Sequence, residues 1–327
     1  MSLNSFDVTR RTPLGQTEIR ISPIAFGCWG ISSKNWGEEP NKKDAIKVLD
    51  AAWADGINLF DTAAVYGGGF GEFILGEVSW KNDAVISTKV SAKQKPLQPI
   101  AALNQYYGSQ YVINEVDKSL RRLERDYIDI LHLHNWFDEW MPDADYLFEI
   151  LDQLKQQGKV RAVGLSVPDW SNANVCDILG KRIIDVLQLP LNLFQQWATK
   201  QVIPVANQLG VGILARSPLS QGALGSLAYN IESRPENDFR KRRYGGSNLT
   251  TYMSRLQHIC ELVGITQIEL PYYSIAYCLS QPGVSAAIIG MRTLAHIKEN
   301  TKPSNYQFTT VQIKNGQEFD QGYPRFF

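Results

Sequence analysis

The stretch Ile128-Asp-Ile-Leu-His-Leu-His134 combines β-branched and leucine side chains with a polar residue at its end. Short, largely apolar runs of this kind are typical of strands in a parallel sheet that helices cover. Such runs recur along the 327 residues and predict eight strands, at positions 21–26, 57–60, 84–89, 128–134, 160–166, 185–189, 211–215 and 286–289. The fold class follows from this repetition.

Helical patterns lie between most of the predicted strands. Val116, Leu120 and Leu123, for example, share one face of a helix because they are three or four residues apart. Asn41, with Asp44 three residues later, predicts a capped helix start. Strand and helix therefore alternate, which predicts a single α/β domain over residues 1–327, folded as a closed (β/α)8 TIM barrel. In such barrels the active site lies at the C-terminal ends of the strands.

Three segments interrupt the alternation. Residues 13–18 predict a β-hairpin that caps the bottom of the barrel, and residues 303–327 form a C-terminal tail. The polar insertion 229–251 predicts a mobile loop. Its basic residues could contact phosphates, although a solvated charged loop is the more common meaning of such a run. They are Arg234, Arg240, Lys241, Arg242 and Arg243.

The charge balance points to a small-molecule partner. The chain has 33 basic and 33 acidic side chains, without a long block of either sign, which argues against nucleic-acid and membrane-surface binding. The four cysteines are spread singly and predict reduced thiols with no metal site. The N-terminus lacks the basic start and apolar run of a signal peptide, so we expect a cytoplasmic protein.

The glycine run after Tyr66 does not match a dinucleotide-binding motif. Gly67, Gly69 and Gly71 give G-x-G-x-G, but Glu72 stands where G-x-G-x-x-G requires its third glycine. The run instead predicts a turn into a helix that begins near Glu72.

Polar side chains end three of the predicted strands. Asp61 and Lys89 follow neighbouring strands, so their side chains should meet at the rim of the barrel, where a cation would offset the cost of burying Asp61. His134 ends the next strand. Each residue alone has an ordinary structural explanation, such as a helix cap or a solvated lysine, but their joint occurrence at one rim favours a site.

A metal site at His132 and His134 is the weaker alternative. The two histidines lie two residues apart and face the same way, with Asp138 and Glu139 nearby. No third ligand has a recognisable spacing, so no metal is predicted. His132, one layer deeper, is expected to make a hydrogen bond in the core.

Together these motifs resemble the aldo-keto reductase superfamily of NADP(H)-dependent carbonyl reductases. The resemblance covers nearly the whole chain. The matching pieces are Phe26-Gly-Cys-Trp-Gly30, Asn58-Leu-Phe-Asp-Thr-Ala63 with Tyr66-Gly67, Ser87-Thr-Lys89, Ser119-Leu-Arg-Arg-Leu123, Tyr127-Ile-Asp-Ile-Leu-His-Leu-His134, Val163-Gly-Leu-Ser166, Ser217-Pro-Leu219 and Ile289-Gly-Met-Arg292.

The resemblance implies a catalytic tetrad of Asp61, Tyr66, Lys89 and His134. In that chemistry a reduced nicotinamide delivers hydride to a carbonyl carbon, and Tyr66 supplies the proton that the oxygen needs. Lys89 is expected to lower the pKa of Tyr66, while Asp61 holds and neutralises Lys89. His134 would orient and polarise the carbonyl oxygen.

The resemblance also implies an NADP(H) site. Ser166 and Gln188 would hold the nicotinamide carboxamide, and the loop with Ser217, Leu219 and Gly222 would run beside the pyrophosphate.

The adenosine end of the cofactor would lie against the C-terminal segment that contains Gly290, Arg292, His296 and Asn300. Arg292 is the expected contact of the 2′-phosphate, which favours NADP(H) over NAD(H).

Three positions depart from the family pattern. Val167 replaces a common asparagine, Arg216 stands where many members stack an aromatic ring on the nicotinamide, and His296 replaces a second arginine. A guanidinium group can also lie flat on a ring, so Arg216 stays a cofactor residue.

The resemblance places the substrate pocket at Trp29, Asn135 and Trp136. For Trp136, ordinary loop packing is an equal alternative. The favoured function is hydride transfer between NADP(H) and the carbonyl or alcohol carbon of a small aldehyde, ketone or sugar-like substrate. The alternative from another class is a cofactor-sensing regulatory subunit like the channel β subunits of the same superfamily.

Overall fold

The computed structural model describes residues 7–96, 100–168, 175–181, 183–225, 230–301 and 308–319. Within these ranges, eight parallel strands form a closed barrel, and a separate antiparallel hairpin precedes them. Both the predicted (β/α)8 barrel and the predicted N-terminal hairpin are confirmed.

The strands follow one another around the barrel in sequence order, and the last pairs with the first. The hairpin consists of β1 (Thr12–Pro13) and β2 (Arg20–Ile21), and the barrel consists of β3 (Ile24–Gly27), β4 (Leu59–Asp61), β5 (Val85–Ser91), β6 (Ile128–His134), β7 (Val160–Ser166), β8 (Val186–Pro190), β9 (Gly212–Arg216) and β10 (Val284–Gly290). The predicted strand 21–26 is divided, because Pro23 has no N–H with which to continue a ladder and separates the hairpin from β3.

Helices surround the barrel and connect its strands. They are α1 (Trp29–Ser32), α2 (Lys42–Ala54), α3 (Phe70–Gly76), α4 (Leu103–Tyr106), α5 (Ser109–Leu123), α6 (Asp145–Gln156), α7 (Cys176–Leu179), α8 (Val202–Gln208), α9 (Phe239–Tyr244), α10 (Leu249–Val263), α11 (Leu270–Ser280), α12 (Leu294–Thr301) and α13 (Thr310–Glu318). In the part of the chain that is described, no helix has both the length and the apolarity to cross a membrane.

The predicted cap at Asn41 is present at the start of α2. Asn41 Oδ1 accepts a hydrogen bond from the backbone N–H of Asp44 at 3.1 Å. Gly56 follows α2 with φ of 98°, a left-handed conformation that favours glycine, and the chain then enters β4. Local signals in the sequence therefore place this helix correctly.

The hairpin closes the bottom of the barrel. Leu14, Ile19 and Ile21 pack against a layer of buried side chains that comprises Ala25, Leu59, Val85, Ile130, Ala162, Val186, Leu214, Ala286 and Ile288. Gly15 approaches the barrel so closely that a Cβ atom there would lie 2.3 Å from the backbone nitrogen of Gly212. Among the described residues the interior is a packed core at this end, and the cleft opens at the opposite end.

The segment predicted as a loop at 229–251 contains helix in its described part, from residue 230. The Asp238 side chain caps α9 by accepting from the Arg240 backbone N–H at 3.0 Å. Phe239 packs against Trp29 and Trp36, with ring centres 5.5 and 5.1 Å away. The sequence offered no strong apolar stripe for so short a helix. Movement of this segment stays a prediction.

The predicted C-terminal tail 303–327 is described only at residues 308–319. There α13 packs against the body of the domain, because Gln196 Nε2 donates to the Gly316 carbonyl at 2.7 Å and Asn315 Nδ2 donates to the Leu262 carbonyl at 2.9 Å. Residues 303–307 and 320–327 lie outside the described residues.

Candidate active site

A cleft of about 730 Å³ opens at the C-terminal ends of the barrel strands. The last residues of five strands line it, namely Gly27, Asp61, His134, Arg216 and Gly290. The strand ends thus bring together groups that are far apart in the sequence, as the sequence analysis predicts for this rim.

Asp61 and Lys89 form a buried ion pair at the floor of the cleft. Lys89 Nζ lies 2.7 Å from Asp61 Oδ2, and the two side chains are only 1% and 5% exposed. Lys89 also donates to the Thr62 carbonyl at 2.7 Å. Asp61 Oδ1 accepts from Ser87 Oγ and from Gln188 Nε2, each at 2.8 Å.

These extra hydrogen bonds matter because burial of two charges is costly unless their remaining donors and acceptors are satisfied. Burial lowers the pKa of Lys89, but the charge and hydrogen bond of Asp61, together with Tyr66, more than offset this effect, so the pKa is raised above its usual value. Lys89 is therefore a fixed positive charge.

A glycine turn sets the position of Tyr66. Gly67, Gly68 and Gly69 have φ values of 61°, 65° and 100°, which other residues rarely adopt. A Cβ atom on Gly67 would lie 2.1 Å from the Ser32 carbonyl oxygen. The predicted turn into a helix is confirmed, and its tight path places the Tyr66 ring centre 5.1 Å from Lys89 Nζ.

The expected lowering of the pKa of Tyr66 does not match this structure. Removal of the phenol from water raises its pKa, and the charge of Lys89 only partly offsets that effect. Tyr66 is thus a protonated phenol at neutral pH, with a cation beside it.

His134 faces Tyr66 across the cleft, with ring centres 6.2 Å apart. Burial and then the charges of Lys89 and Arg216 hold the pKa of His134 well below its usual value. The imidazole is therefore neutral, and its Nδ1 lies 3.0 Å from Ser91 Oγ.

Of the two residues expected at the nicotinamide carboxamide, Gln188 lines the cleft and Ser166 does not. Ser166 is buried at the end of β7, where it pairs in register with both Gln188 and His134. Gln188 Oε1 is buried without a hydrogen-bond partner among the described residues. A buried, unsatisfied acceptor beside a cleft is suited to a ligand N–H.

The predicted pyrophosphate loop is a strained turn on the cleft wall. Ser217, Ser220, Gln221 and Gly222 have positive φ values of 56°, 45°, 55° and 94°, and three of these residues are not glycine. Such strain is common at ligand clamps. Arg243 in α9 donates to Gln221 Oε1 at 2.8 Å, so the inserted segment supports the turn.

Two other predicted residues, Leu219 and Arg216, also line the cleft. Arg216 Nη2 donates to the Val167 carbonyl at 2.6 Å. The guanidinium group is thereby anchored near Tyr66 and His134, and its charge lowers the pKa of both.

Gly290, Arg292, His296 and Asn300, the residues expected at the adenosine end of the cofactor, also line the cleft. Arg292 Nη2 lies 2.7 Å from Glu38 Oε2, and Glu38 is 76% exposed, so this ion pair restrains Arg292 only weakly. Burial lowers the pKa of His296, and its Nδ1 accepts from the Arg292 backbone N–H at 3.2 Å. His296 is thus not a second cation.

Of the predicted substrate residues, Trp29 and Asn135 line the cleft, whereas Trp136 does not. Its ring is fully buried and packs against Trp140 and Phe148, with centres 5.8 and 6.1 Å away. The chain turns at Asn135, which has φ of 63°, and directs the next side chain into the core. The packing alternative is therefore correct for Trp136.

A second buried network lies behind the site and has no clear signal in the sequence. Glu72 is fully buried behind the site, where it accepts from Thr88 Oγ1 and from Arg122 Nε, each at 2.6 Å. It joins α3, which follows the glycine turn, to β5, which contains Lys89. The position of Glu72 after a glycine run predicts the start of a helix, but it carries no signal of this buried network.

A barrel with charged and polar strand ends gathered in one deep cleft is the architecture of an enzyme. The model of the aldo/keto reductase family matches residues 23–321, and the chain therefore belongs to this family of oxidoreductases.

Similar proteins extend over most of the chain. Aldo-keto reductase YhdN of Bacillus subtilis (strain 168) is 28% identical over 291 residues, which cover 86% of this chain and 84% of that protein. A probable voltage-gated potassium channel subunit beta of Arabidopsis thaliana is 27% identical over 319 residues, 88% of this chain and 89% of its own length. The holo form of aldo-keto reductase AKR11C1 from Bacillus halodurans has the same fold, with a TM-score of 0.76, 22% identity and coverage of 95% and 96% of the two chains.

His132 makes the fold sensitive to acid. Burial and the nearby Lys89 lower its pKa to about 3, whereas an unfolded chain protonates histidine near the usual value of about 6.5. Between these two pH values the unfolded chain binds a proton at His132, whereas the folded protein does not. The free energy of unfolding therefore falls as the pH decreases from about 6.5 towards 3. We expect protonation of His132 in the unfolded chain to lower the free energy of unfolding by about 2 kcal/mol between pH 7 and pH 5.

Chemical denaturation of His132→Leu at pH 7 and pH 5 measures this contribution. The variant should lose less stability on acidification than the wild type, while a His258→Gln control at an exposed position should behave like the wild type. If His132→Leu and the wild type lose equal stability between pH 7 and pH 5, His132 is not a source of the acid sensitivity.

Proposed function

We propose that this chain transfers hydride between NADP(H) and the carbonyl or alcohol carbon of a small aldehyde, ketone or sugar-like substrate. The observation that carries the proposal is the buried Asp61–Lys89 pair, which lies beside a protonated tyrosine and faces a neutral histidine at the floor of one cleft. General acid catalysis of carbonyl reduction needs such a set of groups.

The residues of the cleft fit a nicotinamide dinucleotide. Next to the tetrad, the unsatisfied Gln188 Oε1 offers an acceptor to a carboxamide N–H, and Ser166 lies beside it in the sheet. On the wall of the same cleft Arg292 offers a cation to a phosphate. A Cβ atom at Gly290 would meet no other atom within 4 Å, which leaves open space there.

The bound cofactor would supply the hydride, and side chains of the protein would donate the proton. Tyr66 donates its phenolic proton to the carbonyl oxygen as negative charge develops there, and the raised pKa ensures that this proton is present. Lys89 then stabilises the resulting phenolate by its charge, while Asp61 keeps Lys89 in place. Arg216 adds a second positive charge at the same site.

His134 would act as a neutral hydrogen-bond donor to the carbonyl oxygen. A cationic imidazole could itself lose a proton, whereas a neutral one can only polarise and orient the carbonyl. The strongly lowered pKa of His134 fits the second role. Trp29 and Asn135 line the space in front of these groups, so an apolar or sugar-like substrate body could lie against Trp29.

A regulatory role is the second candidate. It is favoured by the Arabidopsis thaliana relative, whose name is that of a probable voltage-gated potassium channel subunit beta. Such a subunit could keep the cleft for sensing a cofactor. Oxidation of NADPH by the purified chain with a panel of aldehydes separates the two, because turnover with any of them supports the enzyme and binding without turnover supports the sensor.

Replacement of Tyr66 by phenylalanine tests the acid directly. Tyr66→Phe should lower kcat by about 10²- to 10⁴-fold, because the proton donor is lost. The dissociation constant for NADPH should stay within a few-fold, because Tyr66 is not assigned to hold the cofactor. Tyr127→Phe, outside the cleft, is the matched control and should keep wild-type rates. If Tyr66→Phe keeps the kcat of the wild type, Tyr66 is not the proton donor.

Replacement of Arg292 by alanine tests the preference for NADP(H). A charge-assisted contact with the 2′-phosphate is worth roughly 1.5–3 kcal/mol, so Arg292→Ala should weaken NADPH binding about ten- to a hundredfold and barely change NADH binding. Quenching of tryptophan fluorescence measures both affinities. Arg121→Ala, on the exposed face of α5, is the control. Equal losses for the two cofactors would assign Arg292 to the fold or the adenine.

A further inference from the structure

The ring of His134 is supported from behind by Ser91. Ser91 ends β5, His134 ends β6, and the two are register partners in the barrel. Ser91 Oγ lies 3.0 Å from His134 Nδ1. Because the contact joins two adjacent strand ends, the sheet itself sets the distance between these atoms.

Two tyrosines fix the backbone on which this contact depends. Tyr111 Oη donates to the Ser91 carbonyl at 2.9 Å, and Tyr107 Oη donates to the His134 carbonyl. Both strand ends are therefore held by side chains from the start of α5 and the turn before it. Neither Ser91 nor His134 can shift without loss of one of these bonds.

A neutral His134 carries a single ring proton, which can be on either nitrogen. Its position decides whether the nitrogen that faces the cleft is a donor or an acceptor. Nδ1 is already occupied by Ser91, so Nε2 is the nitrogen available to a ligand. A carbonyl oxygen accepts hydrogen bonds, so only the form with the proton on Nε2 can polarise it.

The direction of the Ser91 hydrogen bond follows from the acceptors around its hydroxyl. Among the described residues, His134 Nδ1 is the acceptor within hydrogen-bond distance of Ser91 Oγ. If Nδ1 carried the proton, the serine oxygen would have to accept, and the serine O–H would lose this partner. Donation by Ser91 satisfies both groups and leaves Nδ1 unprotonated.

We propose that Ser91 is a positioning residue that donates to His134 Nδ1 and thereby keeps the ring proton on Nε2, aimed at the carbonyl oxygen of the substrate. The effect on a substrate carbonyl rests on the proposed hydride transfer, whereas the contact between Ser91 and His134 does not. Ser91 touches neither the substrate nor the cofactor in this scheme. It acts only through His134.

Long-range ¹H–¹⁵N correlation spectra of the histidine rings test the proposal, since they report which ring nitrogen carries the proton. The chain has four histidines, and His134→Gln identifies the His134 signals by their loss. The spectra are recorded at neutral pH for the wild type, Ser91→Ala and Ser91→Thr. We expect the proton on Nε2 in the wild type and in Ser91→Thr, and a mixture of both forms in Ser91→Ala.

Kinetics give a second readout. Loss of one neutral hydrogen bond should lower kcat of Ser91→Ala about two- to tenfold at an unchanged dissociation constant for NADPH, and Ser91→Thr should restore it. A wild-type proton on Nδ1 overturns the proposal without any variant, and so does a Ser91→Ala spectrum identical to that of the wild type. If the wild type shows the expected spectra but no turnover, the tautomer assignment stands and the proposed function fails.

Discussion

The buried ion pair between Lys89 and Asp61 is the interaction on which the rest of the site depends. Two charges are removed from water there, and the cost is offset only because Ser87, Gln188 and the Thr62 carbonyl complete their hydrogen bonds. These partners lie on or directly after β4, β5 and β8, so the pair holds strands from across the barrel in one arrangement. The fixed positive charge of Lys89 acts on the pKa of both Tyr66 and His134.

The positive charges of Lys89 and Arg216 lower the pKa of both neighbours, Tyr66 and His134. Near Lys89 and Arg216, His134 is kept neutral, while the phenolate form of Tyr66 is favoured relative to what burial alone would allow. A neutral donor and a protonated acid therefore coexist in one cleft. The wall above them is assembled from distant segments. Phe239 in α9 packs on Trp29 and Trp36 from the first strand–helix connection.

Much of this arrangement was predictable from the sequence, because strands and their terminal residues have local signals. The run that ends in His134 and the pairing of Asp61 with Lys89 follow from strand periodicity, and the barrel places them together. What depends on three-dimensional surroundings was not predictable. The pKa of Tyr66 rises because burial outweighs Lys89, and Trp136 enters the core because of the turn at Asn135. A strand-terminal serine such as Ser91 carries no sequence signal of a role, because its contact with His134 Nδ1 depends on the pairing of β5 with β6.

The central claim is that hydride passes between a nicotinamide and a substrate carbon in this cleft. The most direct measurement follows deuterium from NADPH, labelled at the transferable position of the nicotinamide, into the alcohol formed from an aldehyde, with mass spectrometry of the product. We expect one deuterium on the former carbonyl carbon, with the labelled alcohol formed at least about a hundredfold more slowly by Tyr66→Phe than by the wild type. Alcohol formed without label, or no alcohol from any aldehyde in spite of cofactor binding, would contradict it.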